Sequence, residues 1–473
     1  MSRHKTMDNQ TLLDNLWDPH VVANLSDGYQ LLHIDRHLLH DLGGPASLRA
    51  IQKRGLRVRN PELTFAVPDH CVSTEPQRNE NSTELGSRLL PILRSRCAEE
   101  HITYFDLDAD EQGIVHVVGP ELGLTLPGVT LVCGDSHTCT HGALGALAWG
   151  IGSSEVSHVL ATQCVIEKKP SKLRITFSGN LDSAVTAKDM ILYVIGQHGA
   201  DLGVGYAVEY AGETVRQLCM EARMTICNLS IELGAKIGHI CPDDTTYEFV
   251  HGRRYAPGED QWDAALQHWQ SLPTGQEAQF DKELSIDSAV ITPQISWGTS
   301  PEHTIGIDDA VPDPDQAPDA ATAAAWRNAL DYIGLVANQP IKNTPVQRVF
   351  IGSCTNSRLS DLQAAADIAR RGKVADGVTA WVVPGSQSVK RQAEALGLDQ
   401  IFKQAGFDWR EPGCSQCVAT NGEYVAAGER CISTSNRNFV GRQGPGARTH
   451  LASPASAALA AITGVISDVR ECS

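Results

Sequence analysis

Residues 349–370 read VFIGSCTNSRLSDLQAAADIAR. The short apolar run Val349 to Ile351 is a buried strand, SCTNS is a polar loop, and Leu359 to Arg370 has helical spacing. The same alternation surrounds the runs Leu63 to Val67, Val129 to Cys133 and Val378 to Val383. Continuous apolar runs of this length, each followed by a Gly-, Ser- or Thr-bearing loop and a helix, point to parallel βαβ units and an α/β layered fold. The segment Asp308 to Asp319, DDAVPDPDQAPD, packs three prolines and five aspartates and reads as a solvated linker. A softer break falls at HGADLGVG, residues 198–205. The expected division is an α/β domain over 1–200, a second over 201–307, a Pro/Asp-rich linker over 308–325 and a third α/β domain over 326–473.

The chain has 473 residues, 42% hydrophobic and 20% charged, so it can bury sizeable cores and is not disordered overall. It carries 39 Lys and Arg against 56 Asp and Glu, a net charge of −17, which disfavours nucleic-acid and anionic-membrane binding. No apolar stretch reaches the roughly 20 residues of a membrane span. The polar start MSRHKTMDNQ reads as neither signal nor transit peptide, so a cytoplasmic location is expected. Thirteen cysteines without a secretory signal should remain reduced, which makes any cluster of them a candidate metal site.

Cys354 in the first loop and the pair Cys414 and Cys417 in EPGCSQC form such a set. Soft thiolates select zinc, copper(I) or iron–sulfur clusters. A closed zinc site needs a fourth ligand, whereas three cysteines on a four-iron cluster leave one iron open to act as a Lewis acid. Two post-strand loops pair carboxylates with histidines: Asp69 and His70 in VPDHCVST, and Asp135, His137 and His141 in CGDSHTCTHG, with Glu155 further on as a possible orienting group. A carboxylate on one imidazole nitrogen fixes the tautomer and suits acid–base work near neutral pH. In STSNRNFVGRQGPGARTH, residues 433–450, Asn436, Arg437, Arg442 and Arg448 gather among glycines, as in a clamp for carboxylate or phosphate. The aspartates of DLDADEQG lack the glycine of a calcium loop, and neither a Walker A loop nor a GxSxG elbow occurs.

Together, DHCVST, GDSHTCTHGALGALAWGIGSSEVSHVLATQ, TICNLSIELGA, FIGSCTNS, EPGCSQC and STSNRNFVGRQGPGARTH resemble, in content and order, the aconitase superfamily, and within it the two-subunit isopropylmalate isomerases. The resemblance covers essentially the whole chain. It implies three α/β/α domains around one 4Fe-4S cluster held by Cys354, Cys414 and Cys417, with one iron not ligated by protein. It implies catalytic roles for Asp69, His70, Asp135, His137, Glu155 and Glu232, with Asp69–His70 and His137–Glu155 as proton-handling pairs. Ser136, Asn228, Asn436, Arg437 and Arg442 would contact substrate. The implied reaction is dehydration and rehydration of a 2-hydroxy diacid, interconverting 2- and 3-isopropylmalate through isopropylmaleate in leucine biosynthesis. A related diacid, citraconate with 2-methylmalate or a dimethylmalate, is the alternative. Single-chain relatives continue into a swivelling fourth domain that supplies a serine and further arginines, so a separate small subunit is the expected partner. Cys71, Cys139, Gln416 and the segment Ser300–His303 depart from the family's usual residues.

Overall fold

The computed structural model describes residues 8–472. These fall into two compact units, each drawn from separate stretches of chain: Met1–Cys71, Gly86–Asn180 and Gly203–Ser288 in the first, and Val72–Leu85, Leu181–Leu202 and Ala289–Ser473 in the second.

The first unit holds a five-stranded parallel sheet in the order Thr103–Tyr104, Thr64–Val67, Arg36–His40, Thr130–Cys133, Leu147–Gly150. The second strand in chain order and the fourth, Thr64–Val67 and Thr130–Cys133, are buried at every position, as expected for parallel strands covered on both faces. The strand that comes first in the chain lies in the middle, and later strands add on either side of it. The carboxyl ends of Arg36–His40 and Thr130–Cys133 therefore flank a topological switch point, the usual place for a ligand in such sheets. Asp41, Asp69 and Asp135 all lie just beyond the carboxyl ends of sheet strands.

The second unit repeats this order with Asp408–Trp409, Thr379–Val382, Arg348–Ile351, Arg430–Ser433 and Arg448–Leu451, all parallel. Its switch point lies between Arg348–Ile351 and Arg430–Ser433, whose loops carry Cys354 and Asn436. The four strands and the helix anticipated from sequence fall where expected within a residue or two, the helix as Leu359–Ala369.

A further parallel sheet in the first unit runs Ile237–His239, Tyr206–Ala211, Ser171–Ser178, Lys282–Asp287. Its internal strand Ser171–Ser178 precedes residue 200, so a boundary drawn at 200/201 cuts through this sheet. The Pro/Asp segment also differs from a free linker. Asp319 caps the helix Ala320–Ile333, which begins inside it, and Asp308 pairs with Lys342 and Arg470. Proline is tolerated in a first helical turn and aspartate is a favoured N-cap, so Asp313 caps the short 3-10 turn Pro314–Gln316 and Asp319 starts the helix. Among the described residues no helix is long and apolar enough to cross a membrane.

Candidate functional site

In the first unit, one carboxylate collects three imidazoles. Asp135 Oδ1 lies 3.0 Å from His116 Nε2 and 3.4 Å from His137 Nδ1, and Oδ2 lies 3.3 Å from His70 Nε2. The backbone N–H of His137 also donates to Oδ1 at 2.7 Å, so Asp135 caps the 3-10 stretch Ser136–Leu144 that follows it. Burial pushes the Asp135 carboxyl up, but the hydrogen bonds from His116, His137 and His70 outweigh it and hold the group well below the usual carboxylate range. It stays anionic throughout the neutral range.

From this hub the contacts run outward in three directions. His70 Nδ1 meets Asp69 Oδ1 at 2.5 Å, while Asp69 Oδ2 accepts the N–H of Val115 at 3.0 Å. Burial again raises the Asp69 carboxyl, and the charge and hydrogen bond of His70 more than reverse this. His116 Nδ1 contacts His141 Nε2 at 3.0 Å, and His141 Nδ1 reaches Thr125 Oγ1 at 2.6 Å. His137 Nε2 meets Glu232 Oε1 at 3.0 Å.

That last contact corrects the expected pairing of His137 with Glu155. Glu155 instead accepts the N–H of Gly152 at 2.7 Å and caps its own helix, Ser153–Thr162. The partner is Glu232 because Ser136–Leu144 lies directly against the strand Ile237–His239. A Cβ on Gly142 would sit 1.9 Å from the Gly238 carbonyl oxygen, so only glycine permits the approach. Glu232→Gln is therefore expected to lower kcat by at least about tenfold more than Glu155→Gln does, as measured side by side on the assembled enzyme.

Asn228 donates to Thr140 Oγ1 at 2.7 Å, and its carbonyl accepts the Cys139 thiol at 3.4 Å. Ser136 is half-buried at the start of the same 3-10 stretch. Cys139 is thus spoken for by main chain, and Cys71 is fully buried with its N–H on Asp41 Oδ2 at 2.7 Å. His116 was missed in the sequence because it stands alone in an apolar run, Val115–Leu122, beside no carboxylate. So were His40 and Asp41, which approach Asp69 and His70 at the switch point. The rings of His40 and His70 are 4.5 Å apart, and Asp41 Oδ1 accepts the N–H of His70 at 3.0 Å. The only available signal was their place at a strand's end.

The second unit gathers the thiols. Cys354, Cys414 and Cys417 are buried, and none is in a disulfide. Asn436 ties two of them together: its Nδ2 donates to Cys354 Sγ at 3.5 Å, and its Oδ1 accepts from Cys417 Sγ at 3.6 Å. The Cys417 thiol also reaches Ser353 Oγ at 3.4 Å. The turn bearing Cys414 and Cys417 is anchored through Ser415, whose hydroxyl donates to Glu423 Oε2 at 2.5 Å. Glu423 also accepts from Thr74 Oγ1 at 2.6 Å and from Arg410 Nη2 at 3.1 Å. Ser353 and Ser415 both take positive φ, +79° and +48°, a strained conformation for serine that the surrounding bonds enforce at either side of the thiols. The donor set is soft, buried and preorganised, which fits a thiolate-ligated metal centre.

Arg442 places its guanidinium 5.4 Å from the Phe439 ring, and its buried Nε has no acceptor among the described residues. Arg437, in the same loop, is half-buried. In Ser300–His303, Glu302 accepts the N–H of Ala200 at 3.2 Å and His303 stacks on Trp297 at 4.6 Å, so these unusual residues serve the local packing.

The chain has relatives among known proteins. The chain is 59% identical over 461 residues, 98% of its length and 96% of the relative's, to "3-isopropylmalate dehydratase large subunit 1" of Bradyrhizobium diazoefficiens. A crystal structure of Thermococcus kodakaraensis aconitase X (holo-form) is 12% identical and covers 86% of this chain and 84% of its own, with a TM-score of 0.45. The model of the aconitase family (aconitate hydratase) matches residues 14–464. With the motif histidines, carboxylates and thiols in place at the ends of its parallel strands, the chain belongs to the aconitase family of hydro-lyases.

Proposed function

We propose that this chain is the large subunit of a two-subunit hydro-lyase that interconverts 2- and 3-isopropylmalate by dehydration to isopropylmaleate and rehydration, in leucine biosynthesis in the cytoplasm. The observation that carries the reading is the 59% identity, over nearly the whole of both chains, to a relative bearing that activity's name. Cys354, Cys414 and Cys417 hold one 4Fe-4S cluster. When bound, it supplies a Lewis acid at the iron that lacks a protein ligand.

The chain's own residues handle protons and orientation. Asp69 holds His70 Nδ1, which directs Nε2 toward Asp135, and Asp135 likewise faces His116 Nε2. Shared by His70, His116 and His137, the Asp135 carboxylate balances a proton held on any one of the three imidazoles. His137 Nε2, set by Glu232, is the second proton-handling atom. Ser136 and Asn228 position substrate. Asn436, Arg437 and Arg442 meet its carboxylates, a role supported by the unsatisfied buried Nε of Arg442. A small subunit carrying the swivelling domain completes the enzyme.

The test is co-expression with a small-subunit partner, anaerobic reconstitution with iron and sulfide, and an alkene-absorbance assay with 3-isopropylmalate, 2-methylmalate, dimethylmalate and citrate. Preference for 3-isopropylmalate, with no turnover by the isolated chain, is expected. Preference for 2-methylmalate or dimethylmalate would make this chain a paralogue acting on a related diacid.

A further inference from the structure

Lys188, the second residue of the helix Ala187–His198, is fully buried. Its ammonium donates to the carbonyls of Thr434 and, at 2.7 Å, Ser435. Those two residues open the loop that delivers Asn436 to Cys354 and Cys417. Among the described residues no carboxylate lies within ion-pairing distance of Lys188. Its neighbour Asp189 is turned away, accepting the N–H groups of Thr186 and Gln294, both at 2.8 Å.

A buried ammonium whose hydrogen bonds go to carbonyls and not to a carboxylate is costly, and such a charge persists where it answers another charge. Burial pulls the Lys188 ammonium down to about 7, opposed by Asp361, Cys417, Asp189 and Cys354. Two of those four are candidate cluster ligands. As thiols they carry no charge, but metal binding requires the thiolate forms. Asp361 and Asp189 answer part of the charge without reaching ion-pairing distance, and the ligated centre is the counter-charge that loading adds.

We propose that Lys188 is the charge-compensating residue of the thiolate site: its buried ammonium offsets the negative charge of the ligated cluster and, through the Thr434 and Ser435 carbonyls, fixes the loop bearing Asn436. This rests on the cluster reading above. Reduction adds one electron, and so one unit of negative charge, to the cluster. A fixed cation nearby favours the reduced state and raises the potential.

The test compares wild type with Lys188→Met and Lys188→Gln, the full chain in each case being reconstituted anaerobically. Folding of the cluster-free proteins is followed by circular dichroism and thermal unfolding, loading by iron and sulfide content, and potential by dithionite titration read by electron paramagnetic resonance. Both variants are expected to fold and to load less completely. At a fixed potential their reduced-to-oxidised ratio should be at least about tenfold lower, about 59 mV for a one-electron couple. A folded variant that loads fully at the wild-type potential would overturn the assignment. Failure of both neutral variants to fold without cluster would also overturn it, because the ammonium would then serve the fold itself. A wild-type chain that takes up no cluster would sink the cluster reading and this proposal with it.

Discussion

Asp135→Asn is expected to lower kcat of the assembled, cluster-loaded enzyme by about 10²- to 10⁴-fold, the range associated with losing a positioned acid or base. The argument is geometric. Asp135 offers acceptors to His116 Nε2, His137 and His70 Nε2. Asparagine keeps one acceptor and turns the other into a donor, so at least one imidazole must flip its tautomer or lose its partner. It also removes the anion that allows a protonated histidine to persist in a buried site. Iron content should be unchanged, because Asp135 is not among the thiols proposed to hold the cluster. Retention of kcat within about threefold would show that Asp135 only shapes its turn.

The same carboxyl gives an acid-stability prediction. Its folded value lies well below its unfolded value of 3.8, so the stability it contributes is fully present above that value and is lost as pH falls through the folded one. Wild type should therefore lose stability more steeply than Asp135→Asn below about pH 4 in matched acid unfolding curves.

Cys417→Ser is expected to abolish turnover to more than about 100-fold below wild type, together with loss of iron, sulfide and visible absorption after reconstitution. Serine's hydroxyl is a harder, far weaker acid than a thiol and does not replace a thiolate ligand. Cys417 also shares Asn436 with Cys354, so its loss loosens the neighbouring thiol. Cys219→Ser, at an exposed position, is the control and should load fully. Full iron content in Cys417→Ser would remove Cys417 from the ligand set.

Much of this was readable along the chain. The runs at 64–67, 130–133 and 349–351 are buried on both faces, so they need no polar alternation and stand out as parallel strands. Cys354, the Cys414–Cys417 pair, Asp69–His70 and Asp135–His137 are local words, each within a few residues of a strand's carboxyl end, and residue chemistry names them without a structure. Sequence determined which side chains could carry the chemistry and that parallel sheets would present them.

Tertiary structure decided the partners. His137 meets Glu232, 95 residues away, and Lys188 supports Thr434 and Ser435, more than 240 residues away. Asp135 reaches back to His116, a lone histidine in an apolar helix. The assembly of each unit from three separate stretches is of the same kind. Such pairings depend on strand order, on how far each crossover helix carries the chain, and on single contacts such as Gly142 against Gly238. None of these leaves a periodicity or spacing in the sequence, because they are set by which surfaces bury one another once the sheets have formed.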